Sequence, residues 1–131
     1  MKLKVYLAGK ISKNDWRHKI VPQLRGCSWD ETILETPSFN YIGPFFRSCG
    51  HGCFHGPNTH GVDSDWTCVD EDHQLERKLI IERDMRAVTS ADLIIAYITS
   101  TDCHGTLIEL GAAFNAKVPV VMIFAPEVDP E

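Results

Sequence analysis

Residues 91–98, Ala-Asp-Leu-Ile-Ile-Ala-Tyr-Ile, run into residues 99–116, Thr-Ser-Thr-Asp-Cys-His-Gly-Thr-Leu-Ile-Glu-Leu-Gly-Ala-Ala-Phe-Asn-Ala. The first part is short, β-branched and almost without polar residues, the pattern of a strand buried in a parallel sheet. A polar loop with Gly105 follows, and then a segment rich in Leu and Ala that reads as a helix. Strand, glycine-bearing loop and helix N-terminus in this order form the ligand edge of an open α/β sheet. Glu109 falls in what the spacing makes the first turn of that helix, and it is the leading candidate for chemistry.

The flanking segments repeat the alternation. Lys2 to Ala8 reads as a first strand, with Leu3, Val5 and Leu7 on one face and Tyr6 alternating with them. Gly9 ends it and lets the backbone approach a ligand closely. Ser12 or Asn14 can cap a helix whose core face is Trp16, Ile20 and Leu24, with a break at Pro22 and a stop at Gly26. A second sheet strand is placed near Phe39 to Ile42. Residues 70–90 read as a helix with Ile81, Met85 and Val88 on one face, and Asp84 borders that stripe. Asp92 is a turn residue before the central strand. Val118 to Phe124 is a last buried strand, with Pro119 tolerated at its start. This order predicts a single α/β domain over residues 1–131, doubly wound around a mostly parallel sheet, with an insertion over about residues 45–70.

A chain of 131 residues suits one domain. It buries about two-thirds of the surface its unfolded form exposes, enough for a core. The net charge of -5 argues against binding a nucleic-acid polymer, which needs a basic stripe, but leaves room for a single nucleotide. The chain opens directly into a strand, and no apolar run approaches the roughly 18 residues of a membrane span. A cytoplasmic protein without a membrane partner is therefore expected. The five cysteines, Cys27, Cys49, Cys53, Cys68 and Cys103, are odd in number. Without a secretory leader they argue for thiols or metal ligands over disulfides.

Several residues admit both a structural and a chemical reading. Thr106-Leu107-Ile108-Glu109 fits a capping box, in which Glu109 returns to the cap N–H. Its apolar neighbours and its place at the ligand edge favour instead an ionised, partly desolvated carboxylate, competent as a nucleophile towards a sugar carbon. Asp84 is either a snorkelling surface acid or a site carboxylate. Tyr6 is either a packed phenol or a hydroxyl that positions a carboxylate. Lys10 after Gly9, with the N–H groups of Gly105 and Thr106, makes an anion site.

Residues 48–68 form a long aperiodic stretch rich in Gly, His and Cys. Cys49, His51, Cys53 and His55, with His60 and Cys68 beyond, hold enough soft ligands for zinc, although at no common finger spacing. The same stretch also reads as a glycine-rich lid whose histidines, His51 and His55, touch substrate, or as a structural cover.

Val5-Tyr6-Leu7-Ala8-Gly9-Lys10, Asp84, Ala91-Asp92-Leu93-Ile94-Ile95-Ala96, Gly105-Thr106-Leu107-Ile108-Glu109-Leu110-Gly111-Ala112-Ala113 and Lys117-Val118-Pro119-Val120 together resemble the nucleoside 2-deoxyribosyltransferase family, in that family's order. The resemblance implies a flavodoxin-like or Rossmann-like fold that acts on the N-glycosidic bond of (deoxy)nucleosides or their 5′-monophosphates. It implies that Glu109 is the nucleophile, that Tyr6 orients it and that Asp84 contacts base or sugar. Ala8, Gly9, Lys10, Asp102, Cys103, Gly105 and Thr106 would line the substrate pocket. It implies no required cofactor, a small-molecule substrate and a homo-oligomer. The chain departs from the pattern at Cys103, where the family usually carries an Asp six residues before the nucleophile. The proton for the leaving base is then expected from Asp84 or Asp102, with a histidine of the insertion as the other choice. A non-catalytic nucleotide-binding module on the same fold is the rival reading. A zinc-dependent hydrolase centred on the insertion is a third.

Overall fold

The structure, a computed structural model, describes residues 1–11, 16–27, 31–45, 47–48, 54–55 and 77–128. Strand β1 (Lys4–Ala8) is followed by the short helix α1 (Arg17–Ile20) and a 3-10 turn (Pro22–Gly26). Strands β2 (Leu34–Glu35), β3 (Asn40–Gly43), β4 (Arg47–Ser48) and β5 (Phe54–His55) come next. Helix α2 (Arg77–Ser90), β6 (Leu93–Ile98), α3 (His104–Asn115) and β7 (Val120–Phe124) complete the order.

One five-stranded sheet runs β2-β3-β1-β6-β7. Its β3, β1, β6 and β7 are parallel, and β2 joins the edge antiparallel. This is the mostly parallel, doubly wound α/β sheet that the alternation of strand and helix predicts. Side-chain alternation along β1 divides the core in two. Tyr6 and Ala8 pack with Ile94, Ala96, Val88 and Ala113 under α2 and α3. Val5 and Leu7 pack with Val21, Leu24, Tyr41 and Phe45 under α1 and the 3-10 turn. Asp92 accepts a hydrogen bond from the backbone N–H of Lys4 at 2.8 Å, in keeping with its structural reading.

The buried faces differ from expectation in four places. Helix α1 stops at Ile20 and the 3-10 turn starts at Pro22, as the Pro22 break requires. Its buried residue is Arg17, however, and Ile20 is exposed, whereas Leu24 is buried as expected and Trp16 packs against the same cluster. On α2 the buried stripe is Ile80, Asp84 and Val88, and Ile81 points outward. Residues four apart share a helix face, so an acid midway between Ile80 and Val88 lies in the stripe, not beside it. Leu3 precedes β1 and is exposed. Strand β7 is an edge, paired on one side by β6 only, and Val121, Met122 and Ile123 are each nearly half exposed, where a fully buried strand was expected. A further difference stands at the start of the expected insertion, where β4 pairs antiparallel with β5. The rest of it, with Cys49, His51, Cys53, His60 and Cys68, lies outside the described residues, as do Ser12 and Asn14.

Candidate active site

The chain leaves β1 towards β3 on one side and leaves β6 towards β7 on the other, so β1 and β6 flank a point at their carboxyl ends where its direction reverses. Such a switch point opens a crevice in α/β sheets. Two glycines shape it. Gly9 has φ +152°, and a Cβ there would stand 2.8 Å from the Tyr97 carbonyl oxygen, so only glycine fits the turn. Gly43 has φ +144° and pairs with Tyr6 where the β1–β3 register shifts. A Cβ on Gly43 would be 3.0 Å from Tyr6 Cε2, so its absence makes room for the phenol ring.

Three titratable side chains from three elements meet here: Tyr6 of β1, Asp84 of α2 and Glu109 of α3. Tyr6 and Asp84 are buried. Glu109 is half-buried as a residue, but its Oε2 is enclosed. Tyr6 Oη and Glu109 Oε2 have no hydrogen-bond partner among the described residues. The phenol lies near enough to favour the Glu109 carboxylate, although the two fall outside hydrogen-bond geometry. Loss of water raises the pKa of Asp84 to about 7, against the pull of Arg83 and Arg17. Loss of water, reinforced by the charge of Asp84, pushes Glu109 to about 8, against Arg17 and Tyr6. Burial, then Glu109 and Asp84, hold Tyr6 well above the ordinary phenol range, so it stays a neutral donor. Two carboxyls pushed up together titrate as a coupled pair around neutral pH.

Glu109 is the sixth residue of α3, so it stands in the second turn rather than the first. The N-cap is Cys103, with no side-chain cap bond, and Thr106 is buried within the helix, so the Thr106–Glu109 capping box does not form. The apolar flank does not enclose Glu109 either, because Leu107 and Ile108 are exposed. Packing of α3 against α2, together with Tyr6 beneath, does so instead.

At the rim, Lys10 Nζ meets Asp102 Oδ2 at 3.2 Å, joining the loops after β1 and β6. Asp102 is largely solvent-facing and Lys10 is partly buried, and His104 Nδ1 is 3.9 Å from Asp102 Oδ1. Cys103 is a buried free thiol packed in the core, and Ala8 is buried in β1. Gly105 is exposed with open space where a Cβ would stand. His55 is in β5, without a described side chain, and His51 lies outside the described residues. Among the described residues no group of three His, Cys, Asp or Glu side chains is placed to hold a metal ion. No described helix is long and apolar enough to cross a membrane.

Sequence reasoning missed Arg17. It is fully buried and donates to the carbonyls of Leu7 (2.8 Å), Gly9 (2.7 Å) and Lys10 (3.2 Å). The available signal was a charge at a core position, four residues before Val21 and seven before Leu24. A cavity of about 440 Å³, also unforeseen, approaches Asp84 between α2, Ile42, Phe45 and residues 31–33. It includes neither Tyr6 nor Glu109.

A family model described as nucleoside 2-deoxyribosyltransferase like matches residues 2–126. No curated protein and no solved structure matches the chain.

Proposed function

The chain belongs to the nucleoside 2-deoxyribosyltransferase-like family, and we propose that it cleaves or transfers at the N-glycosidic bond of (deoxy)nucleosides or their 5′-monophosphates. The observation that supports this most is the convergence of Tyr6, Asp84 and Glu109 beside the β1 switch point. Ionised Glu109 attacks the anomeric carbon. Its C–O bond forms as the C–N bond breaks, and the electron pair of that bond leaves with the base. Asp84 gives its proton to the departing base nitrogen. Water or a second base then attacks the same carbon, the bond to Glu109 breaks, and the incoming group's proton returns to Asp84. This follows the retaining logic of a carboxyl pair at a sugar. Asp84 fits the acid role better than Asp102, which is exposed and paired with Lys10. Tyr6, kept neutral and just outside hydrogen-bond geometry in this structure, would donate to Glu109 and orient it once substrate draws the two together. A substrate 5′-phosphate would exchange with Asp102 for Lys10. The reaction as written uses no cofactor, and activity that survives a chelator would agree with it. Exposed Ile108 and Phe114 on α3 support assembly as a homo-oligomer.

The test is release of free base from a panel of nucleosides and 5′-monophosphates. Wild-type protein should release base, and a folded Glu109→Gln variant should not. Equal release by that variant would overturn the role of Glu109. Tight binding without turnover across the panel would make the protein a nucleotide-binding module.

A further inference from the structure

Arg17 is fully buried, and so large a cation has no place in a core without a compensating arrangement. Its guanidinium spans the carboxyl end of β1. Nε donates to Leu7, Nη2 to Gly9 and Nη1 to Lys10. Those carbonyls belong to the turn that Gly9 makes at φ +152° and to Lys10, whose Nζ reaches Asp102. Trp16 holds the guanidinium from outside, with Arg17 Cζ 5.2 Å from its ring centroid, and Trp16 in turn meets Tyr97 edge-on at 5.4 Å. The planar fork is therefore fixed in direction as well as position, which a lysine ammonium would not be.

We infer that Arg17 is a positioning residue, which fixes the Gly9–Lys10 turn at the mouth of the site and supplies the buried positive charge against which one of the two site carboxyls ionises. Among the described residues, the charged and titratable groups around the pair are Tyr6 on β1, Arg17 on α1, Arg83 and Asp84 on α2 and Glu109 on α3. Among these, Arg17 is the cation that opposes the raised pKa of both Asp84 and Glu109, whereas Arg83 acts on Asp84. Arg83 also donates to the Phe45 carbonyl at 2.5 Å, so it faces the β3 side. Removal of the Arg17 charge thus leaves two buried carboxyls with less to ionise against. Replacement by lysine keeps a charge but gives up the fork.

The inference about charge can be tested without any assumed substrate. Carboxyl carbons of Asp84 and Glu109 are followed by NMR across pH in wild type, Arg17→Met and Arg17→Lys, and are assigned with Asp84→Asn and Glu109→Gln. Arg17→Met should raise the midpoints by at least about one pH unit, and Arg17→Lys should restore most of that shift. Unchanged midpoints in folded Arg17→Met would overturn the inference. Should Arg17→Met not fold, the Arg17 Nε resonance of the wild-type protein serves instead. It should move with the carboxyl titration, and a flat profile would overturn the inference equally. A second arm rests on the proposed reaction. With 2′-deoxyadenosine and its 5′-monophosphate, Arg17→Lys should keep the wild-type pH profile but lose kcat/KM through a raised KM. An unchanged KM would remove the turn-fixing half of the inference. Absence of base release by the wild type itself would count against the proposed reaction and leave the NMR result standing.

Discussion

At the scale of single residues, the site is defined by what burial does to charge. Asp84 and Glu109 titrate near 7 and 8 because water is excluded from them, and their proximity adds to the effect on Glu109. In the proposed reaction the productive form has one proton in the pair, carried by Asp84 while Glu109 is ionised; because Glu109 has the higher value, that proton rests mainly on Glu109 and must pass to Asp84 before attack. Base release should therefore follow a bell with its maximum between about pH 7 and 8, as the paired values require. A rate that is level across that range would contradict this, and Asp84→Asn should remove a limb. The same values bear on stability. Both folded pKa values exceed those of the unfolded carboxyls, so the folded protein holds more protons between about pH 4 and pH 8. Stability is then greatest below the unfolded values and falls as pH rises through the folded ones. At about 1.4 kcal/mol per pH unit, the loss is on the order of 4 kcal/mol for each carboxyl. Glu109→Gln should abolish base release and flatten this decline in a denaturant titration series. Gly43→Ala should cost about 1–3 kcal/mol, since φ +144° strains any side chain and Tyr6 Cε2 is 3.0 Å from the new Cβ. Unfolding of that variant at the wild-type denaturant midpoint would show that Tyr6 can move aside.

At the scale of elements, α2 and α3 matter most, since each delivers one carboxyl to Tyr6. Helix α2 does so through a stripe in which Asp84 replaces an apolar residue between Ile80 and Val88. Ile80→Ala should destabilise the protein by about 2–5 kcal/mol, because Ile80 is 2% exposed. Ile81→Ala should change stability by no more than about 0.5 kcal/mol. Denaturant unfolding of the two variants distinguishes this stripe from one that contains Ile81. The sequence shows both periodicities, and the difference between them is one residue. Only the packed helix reveals which set of side chains faces β1. Helix α3 gives the same lesson. Thr106 and Glu109 have the spacing of a capping box, but α3 begins at His104, two residues earlier, so the pair falls inside the helix. A local motif sets which hydrogen bonds are available, and the strand and loop before it set where the helix begins.

At the scale of the whole molecule, the sheet leaves an apolar side at β7 and α3. Val121, Met122 and Ile123 are each nearly half exposed, and Phe114 is more so. Parallel sheets are ordinarily covered on both faces, so a neighbour of the same kind is the expected occupant. Phe114→Glu with Ile108→Glu should shift the protein towards monomer in sedimentation, and a monomeric wild type would refute the assembly. The sequence by itself determined the strand-helix alternation and the loops around Gly9 and Gly105, and it singled out Tyr6, Asp84 and Glu109 as candidates. Alternation of apolar residues and chain-breaking glycines are local properties, and local properties are written in order along the chain. The tertiary structure alone decided that Arg17 fills a core position across the end of β1, that Lys10 pairs with Asp102, and that β7 is an exposed edge. Each of these depends on which elements become neighbours, and exclusion of water from the carboxyl pair follows only once β1, α2 and α3 have closed around it.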